Sequence, residues 1–151
     1  MANYSLCLGI AVTAISFSIV ATTATTNSTS EVPDQDISCL AANVYHEARG
    51  ESLRGQRAVA DVTLNRVDSR SWPNTLCQVV WQRKQFSWTH DHLSDEMRDA
   101  DAREVAYRIA WEALNEPRTN DATHYHATYT KPYWANSLEY IETIGLHKFY
   151  K

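Results

Sequence analysis

The first thirty residues contain no Asp, Glu, Lys or Arg, so all 18 acidic and 14 basic side chains lie from Glu31 onward. Glycine and proline are scarce, four of each in 151 residues. With 44% hydrophobic and 21% charged residues, that scarcity excludes collagen-like and disordered classes. Three cysteines are too few for a disulfide scaffold, and none stands in a Cys-x-x-Cys pair, so redox and zinc-ribbon readings have no support. A His-Glu-x-x-His helix is missing as well. So is any excess of positive charge: the net charge is -4, which argues against a nucleic-acid partner. The length admits one domain with a real core and excludes two. What the chain has in surplus is flat rings, with five Trp, eight Tyr and three Phe. These suit a core and also suit stacking on sugar faces.

Within the neutral head, Leu6 to Ala21 is an uninterrupted run of apolar and small residues. It reaches the upper end of a signal-peptide core and falls short of the ~20 residues of a comfortable membrane span. Residues 1–24 therefore read as an export signal, with Ala21-Thr22-Thr23-Ala24 supplying cleavage sites, and residues 25–35 as a flexible polar leader. No Lys or Arg precedes Leu6, so an uncleaved N-terminal anchor is the competing account. On either account the working part, 36–151, is exported to the periplasm or the medium, and membrane contact is confined to the N-terminal segment. Cys7 belongs to the head. Cys39 and Cys77 remain as a pair, disulfide-bonded in an oxidising compartment or present as two buried thiols, and spacing alone does not decide between them.

After Pro33 the apolar pattern becomes helical. Asp36 can cap a helix in which Ile37, Leu40, Ala41, Val44, Tyr45 and Ala48 share one face until Gly50 stops it. On a wheel of 100° per residue these six span about -60° to +80°, which places Glu47, at about -80°, on the border of the buried face and His46, at about 180°, opposite it. Arg54–Val67 reads as a second helix, apolar over most of its surface and hence central, whose Asn65 and Arg66 must find partners. A short helix runs through Leu76, Val79, Val80 and Trp81, and a fourth from Ser94 to about Leu114, ended by Asn115 and Pro117. Residues 122–129 and 140–150 lose helical phasing and read as short strands around a Lys131-Pro132 turn. The expected architecture is mainly α with a small β element, α+β, in a single domain.

The strongest chemical cluster is His46-Glu47-Ala48-Arg49-Gly50-Glu51. A carboxyl group at the margin of an apolar face is partly desolvated, which raises its pKa and keeps a proton available. The competing account is a surface Glu paired with Arg49 or Arg54.

These residues resemble the cell-wall hydrolases related to the spore-cortex-lytic enzymes, the SleB type. The resemblance rests on CLAANVYHEARGE at 39–51, GQRAVADVTLNRV at 55–67, WPNTLCQVVWQRKQFSW at 72–88, and THYHATYTKPYWA with IGLHKFY near the end. It implies a lysozyme-like domain that cuts the β-1,4 glycosidic bond of peptidoglycan, with Glu47 as catalytic acid and Glu51 supporting. The secretory head and the Cys39/Cys77 pair point to the stand-alone bacterial or phage versions rather than the spore enzymes, so spore-specific preference is not carried over.

Cutting a glycosidic bond requires protonating the leaving oxygen and stabilising an oxocarbenium-like centre, and hydrolases commonly use a second carboxylate. Glu51 and Asp61 are the candidates, Asp61 being equally suited to an ion pair in its helix and Glu51 to one with Arg54. With Glu47 alone, the muramic acid 6-hydroxyl can serve as nucleophile, which is lytic transglycosylation and needs no metal or cofactor. Gln85, Phe86, Ser87, Trp88, Tyr125, His126 and Tyr129 are the candidate substrate contacts, with turn stabilisation the competing role for Gln85 and Ser87. Of Trp72, Trp81, Trp88 and Trp134, about half are expected in the core. His124 and His126, with His46 or Glu47, support a rival reading as a zinc-dependent amidase or peptidase. A non-catalytic glycan-binding module is the third. The expected partner is the glycan strand of peptidoglycan, met by a monomer.

Overall fold

The computed structural model describes residues 34–151, so the expected signal segment, its cleavage site and Cys7 lie outside the described residues. Four helices come first: α1 (Asp34–Ala48), α2 (Leu53–Asp68), α3 (Leu76–Val80) and α4 (Ala100–Asn115). Three strands follow, β1 (His124–Ala127), β2 (Tyr140–Ile144) and β3 (His147–Tyr150), in the order β1-β3-β2, with β3 antiparallel to both neighbours. Short 3-10 turns cover Ser87–His90 and Tyr133–Asn136. The expected mainly α architecture with a small β element is thus the one that forms. No helix among the described residues is long and apolar enough to cross a membrane.

α1 begins at Asp34, two residues before the expected Asp36 cap, so the end of the expected leader is already helical. Its face follows the wheel: Leu40, Ala41, Val44, Tyr45 and Ala48 are buried. α2 starts where the Ser52 hydroxyl accepts the Gly55 N–H at 3.2 Å, and it is buried around most of its circumference. α4 starts six residues later than Ser94. Asp99 is the true cap, its Oδ1 accepting the Ala102 N–H at 3.0 Å. The segment before it is pinned instead to α1, where Tyr45 Oη accepts the Asp99 N–H at 3.0 Å and His46 Nε2 bonds Asp95 O at 3.1 Å.

One core cluster fills the space among the helices through Leu40, Val44, Leu64, Val80, Phe86 and Ile109. A second, of Ala48, Val59, Val62, Ile144 and Phe149, glues α2 to the sheet. Fully burying each large side chain contributes roughly 1.5–3 kcal/mol, so the first cluster holds the helices together and the second holds the sheet against them. Cys39 and Cys77 are joined in a disulfide, Cα atoms 5.4 Å apart, which ties α1 to α3. Asp61 is fully buried: Arg57 Nε donates to Oδ1 at 3.1 Å, and the Thr119 N–H and hydroxyl donate to Oδ2 at 2.7 and 2.5 Å. Every Asp61 oxygen is therefore committed to holding the turn after α4.

Candidate active site

The last turn of α1 and the strand β1 face each other, and between them opens a cleft of about 470 Å³. Twelve residues line it, among them Glu47, Arg66, Gln85, Ser87, Tyr125 and His147. Phe86, His126 and Tyr129 belong to the same lining, as do Lys84 and His90. Seven of the nine expected catalytic, supporting and substrate-contacting residues are thereby brought together: Glu47, Gln85, Phe86, Ser87, Tyr125, His126 and Tyr129. Trp88 and Glu51 are outside the lining.

Glu47 is the only carboxylic acid among the twelve. Tyr125 Oη donates to its Oε2 at 2.8 Å. Burial raises the Glu47 pKa above the ordinary carboxylate value, and it prevails over two opposing influences, the Tyr125 hydroxyl and the positive charge of Arg66. Burial likewise pushes the Tyr125 hydroxyl well above the usual phenol range, reinforced by the neighbouring Glu47 charge, so Tyr125 remains a donor.

Arg66 is the main residue that sequence reasoning left without a role. It projects from the last turn of α2, is 6% exposed, and its guanidinium lies over the rings of Phe86 and Trp72 at 5.2 and 5.8 Å. Nε donates to Thr123 O at 2.8 Å, while the buried Nη1 finds no partner among the described residues. Its burial lowers its pKa, with Tyr125 and Glu47 acting to raise it. A buried cation without a paired carboxylate is costly to keep and marks a functional position. The signal present in the sequence was an arginine in a helix expected to be buried, where it must find partners. His147, on β3, lines the cleft too, its ring 5.1 Å edge-on from that of Tyr125.

The ion pair expected between Glu51 and Arg54 does not form, because Arg54 pairs with Glu142. Both Glu51 oxygens face the N–H of Leu146, at 3.2 and 3.4 Å, in the turn between β2 and β3, and Oε1 lies 3.9 Å from His147 Nδ1. Glu51 thus fastens the hairpin that carries His147. Trp88 is 6% exposed and works behind the cleft wall: its Nε1 donates to Asn43 Oδ1 at 3.2 Å, and Asn43 Nδ2 donates to Thr63 Oγ1 at 2.9 Å. This fixes the Gln85–Ser87 stretch beside α1. Phe86, 2% exposed, is core that shows an edge to the cleft. Of the four tryptophans considered, only Trp88 is buried, fewer than the expected half; Trp81 is 48% exposed.

The histidines of the zinc reading are occupied with other partners. His126 Nδ1 donates to Ala127 O at 2.8 Å, which leaves Nε2 to accept from Tyr150 Oη at 3.0 Å. His124 Nδ1 bonds Thr123 Oγ1 at 3.0 Å, and His46 stacks on Trp88 with ring centres 4.5 Å apart. Among the described residues no group of three or more His, Cys, Asp or Glu is gathered as a metal site.

Comparison with known proteins places this geometry. The Hydrolase_2 profile, described as Cell Wall Hydrolase, matches residues 50–150. The spore cortex-lytic enzyme of Bacillus cereus is 33% identical over 128 residues, which is 83% of this chain and 48% of that protein. That of Bacillus subtilis is 35% identical over 120 residues, 77% of this chain and 37% of that protein. The chain therefore spans half or less of the length of these curated relatives. The solved catalytic domain of the germination-specific lytic transglycosylase SleB from Bacillus anthracis superposes with a TM-score of 0.67 at 32% identity, covering 80% of this chain and 98% of that domain. The catalytic domain of the Bacillus cereus SleB protein gives 0.64 at 35%, covering 80% and 95%. Agreement in sequence profile and in fold across nearly the whole of two solved domains makes this chain a member of the Cell Wall Hydrolase family.

Proposed function

We propose that this chain is an exported, monomeric enzyme that cleaves the β-1,4 bond between N-acetylmuramic acid and N-acetylglucosamine in peptidoglycan, as a lytic transglycosylase with Glu47 as its one catalytic carboxyl group. The observation that carries the reading is the solitary, partly desolvated Glu47 in a cleft otherwise lined by donors and rings. Protonated Glu47 gives its proton to the glycosidic oxygen as the C1–O bond breaks. The muramic acid 6-hydroxyl oxygen then bonds to C1, and its proton passes to the Glu47 carboxylate, which regenerates the acid and leaves a 1,6-anhydro end. Tyr125 and Arg66 stabilise the carboxylate in the interval when it is ionised. In this reading Gln85, Ser87 and Tyr129, which line the cleft, contact the sugars, while His126, with both ring nitrogens engaged, shapes the wall behind them.

A hydrolytic mechanism needs a second carboxylate about 5–5.5 Å or 6.5–9.5 Å from the first. The two candidates have their oxygens engaged, Glu51 on the hairpin turn and Asp61 on Arg57 and Thr119. That favours transglycosylation. Mass analysis of the muropeptides released from purified peptidoglycan tests the choice. Products carrying anhydro ends, lighter by one water than reducing ends, are expected; reducing ends alone would make the enzyme a hydrolase, and free stem peptides an amidase.

A further inference from the structure

The walls of the cleft are positive on a protein whose acids outnumber its bases. Beside the Glu47 cleft lies a second hollow of about 390 Å³, lined by Tyr129, Lys131, Asn136 and Lys148 among others, and the two share His126 and Tyr129. Together they present four permanent cations, Arg66, Lys84, Lys131 and Lys148, against a single acid, Glu47. None of the four forms an ion pair among the described residues; Arg49, Arg70, Arg83 and Arg103 are unpaired as well, but they lie outside the two hollows, where four cations converge on one acid. Lys84 also holds a left-handed backbone, φ 68°, at the cleft edge, a conformation that side chains with a Cβ adopt at a cost. With 18 acidic residues available, leaving these four unneutralised focuses a positive potential into one groove.

A plain glycan backbone of acetamido sugars is neutral and gives such a groove nothing to attract. The carboxylates of peptidoglycan hang from the muramic acid, on the stem peptide, next to the bond being cut. We infer that the preferred substrate is glycan whose stem peptides keep their free carboxylates, held by Lys131 and Lys148 in the second hollow while Arg66 and Lys84 flank the reacting sugar. The inference rests on the cleavage proposed above.

The test compares one preparation of soluble glycan–peptide chains in two forms, native and with its carboxylates converted to amides by carbodiimide and ammonium chloride. On the native chains kcat/KM is expected to be roughly tenfold or more higher, mainly through KM, and to fall as salt is raised, while the amidated chains show little salt dependence. K131Q/K148Q, shown folded by circular dichroism, should close most of the gap. Equal kcat/KM on the two forms, or a gap that K131Q/K148Q leaves intact, overturns the inference and leaves the cleavage reading standing. Failure to release glycan fragments from either form overturns the cleavage reading itself.

Discussion

Glu51 and Gly145 offer a quantitative test of how the hairpin is held. Gly145 turns the chain between β2 and β3 at φ 55°, and a Cβ on it would lie 1.8 Å from Glu51 Oε2. Gly145→Ala therefore suffers twice. The left-handed backbone costs an alanine roughly 1–2 kcal/mol. The new methyl also evicts the carboxylate from the Leu146 N–H, losing a charge-assisted hydrogen bond of roughly 1.5–3 kcal/mol. In a Glu51→Ala background that bond is already absent and the methyl has room, so only the backbone cost remains. A double-mutant cycle should accordingly return a coupling energy of about 1.5–3 kcal/mol, the two single losses summing to more than the loss of the double variant. Urea unfolding of the four oxidised proteins measures it. Strict additivity, within about 0.5 kcal/mol, would show that the carboxylate does not clamp the turn and refute the reasoning.

Glu47→Gln is expected to lose ~10² to 10⁴ in turnover while keeping fold and glycan binding, checked by turbidity clearing and a pull-down on peptidoglycan. Because Glu47 titrates higher in the folded chain than in the unfolded one, its favourable protonated contribution is complete below the ordinary value of 4.5 and is lost as pH rises through the raised native value. Glu47→Gln should then match the wild type at acid pH and melt higher at neutral and alkaline pH, and a lower Tm there would contradict the assignment. Tyr125→Phe removes a donor that favours ionised Glu47, so the alkaline limb of the pH profile of kcat/KM should move to higher pH; a limb that stays in place would deny the hydrogen bond its role. Reducing Cys39–Cys77, which lie 38 positions apart, should cost about 2–4 kcal/mol, read as a drop in the urea midpoint, and an unchanged midpoint would mean that the bond constrains nothing.

The helices were legible wherever burial has a period. α1 and α2 follow their apolar spacing because each presents a continuous face to the core, and the same wheel put Glu47 on the rim of that face, where the cleft opens. The start of α4 was not legible. Ser94 and Asp99 are both acceptable caps, and the choice between them is made by Tyr45 and His46, some fifty positions away. The partners of Glu47 escaped for the same reason. Tyr125 is 78 positions distant, and Arg66 is held at the site by its bond to Thr123 O, 57 positions on and just ahead of β1, a relation that no local pattern encodes. Glu51 was expected to support Glu47 or to pair with Arg54, both of them sequence neighbours. Gly50 breaks the helix between Glu47 and Glu51, and the chain turns the second carboxylate toward the β2–β3 turn instead.

The bond from Trp88 to Asn43 has a bearing on engineering. It references one side of the groove to α1 through side chains alone, independently of the backbone that follows. Asp91 to Glu96, immediately downstream, is solvent-exposed throughout, Leu93 at 76%. Extra sequence spliced in at Leu93, ahead of the Asp95 carbonyl that His46 holds, such as a fluorescent reporter or a targeting domain for a chosen bacterial surface, would hang outside a groove wall that a buried indole and a buried amide tie to α1.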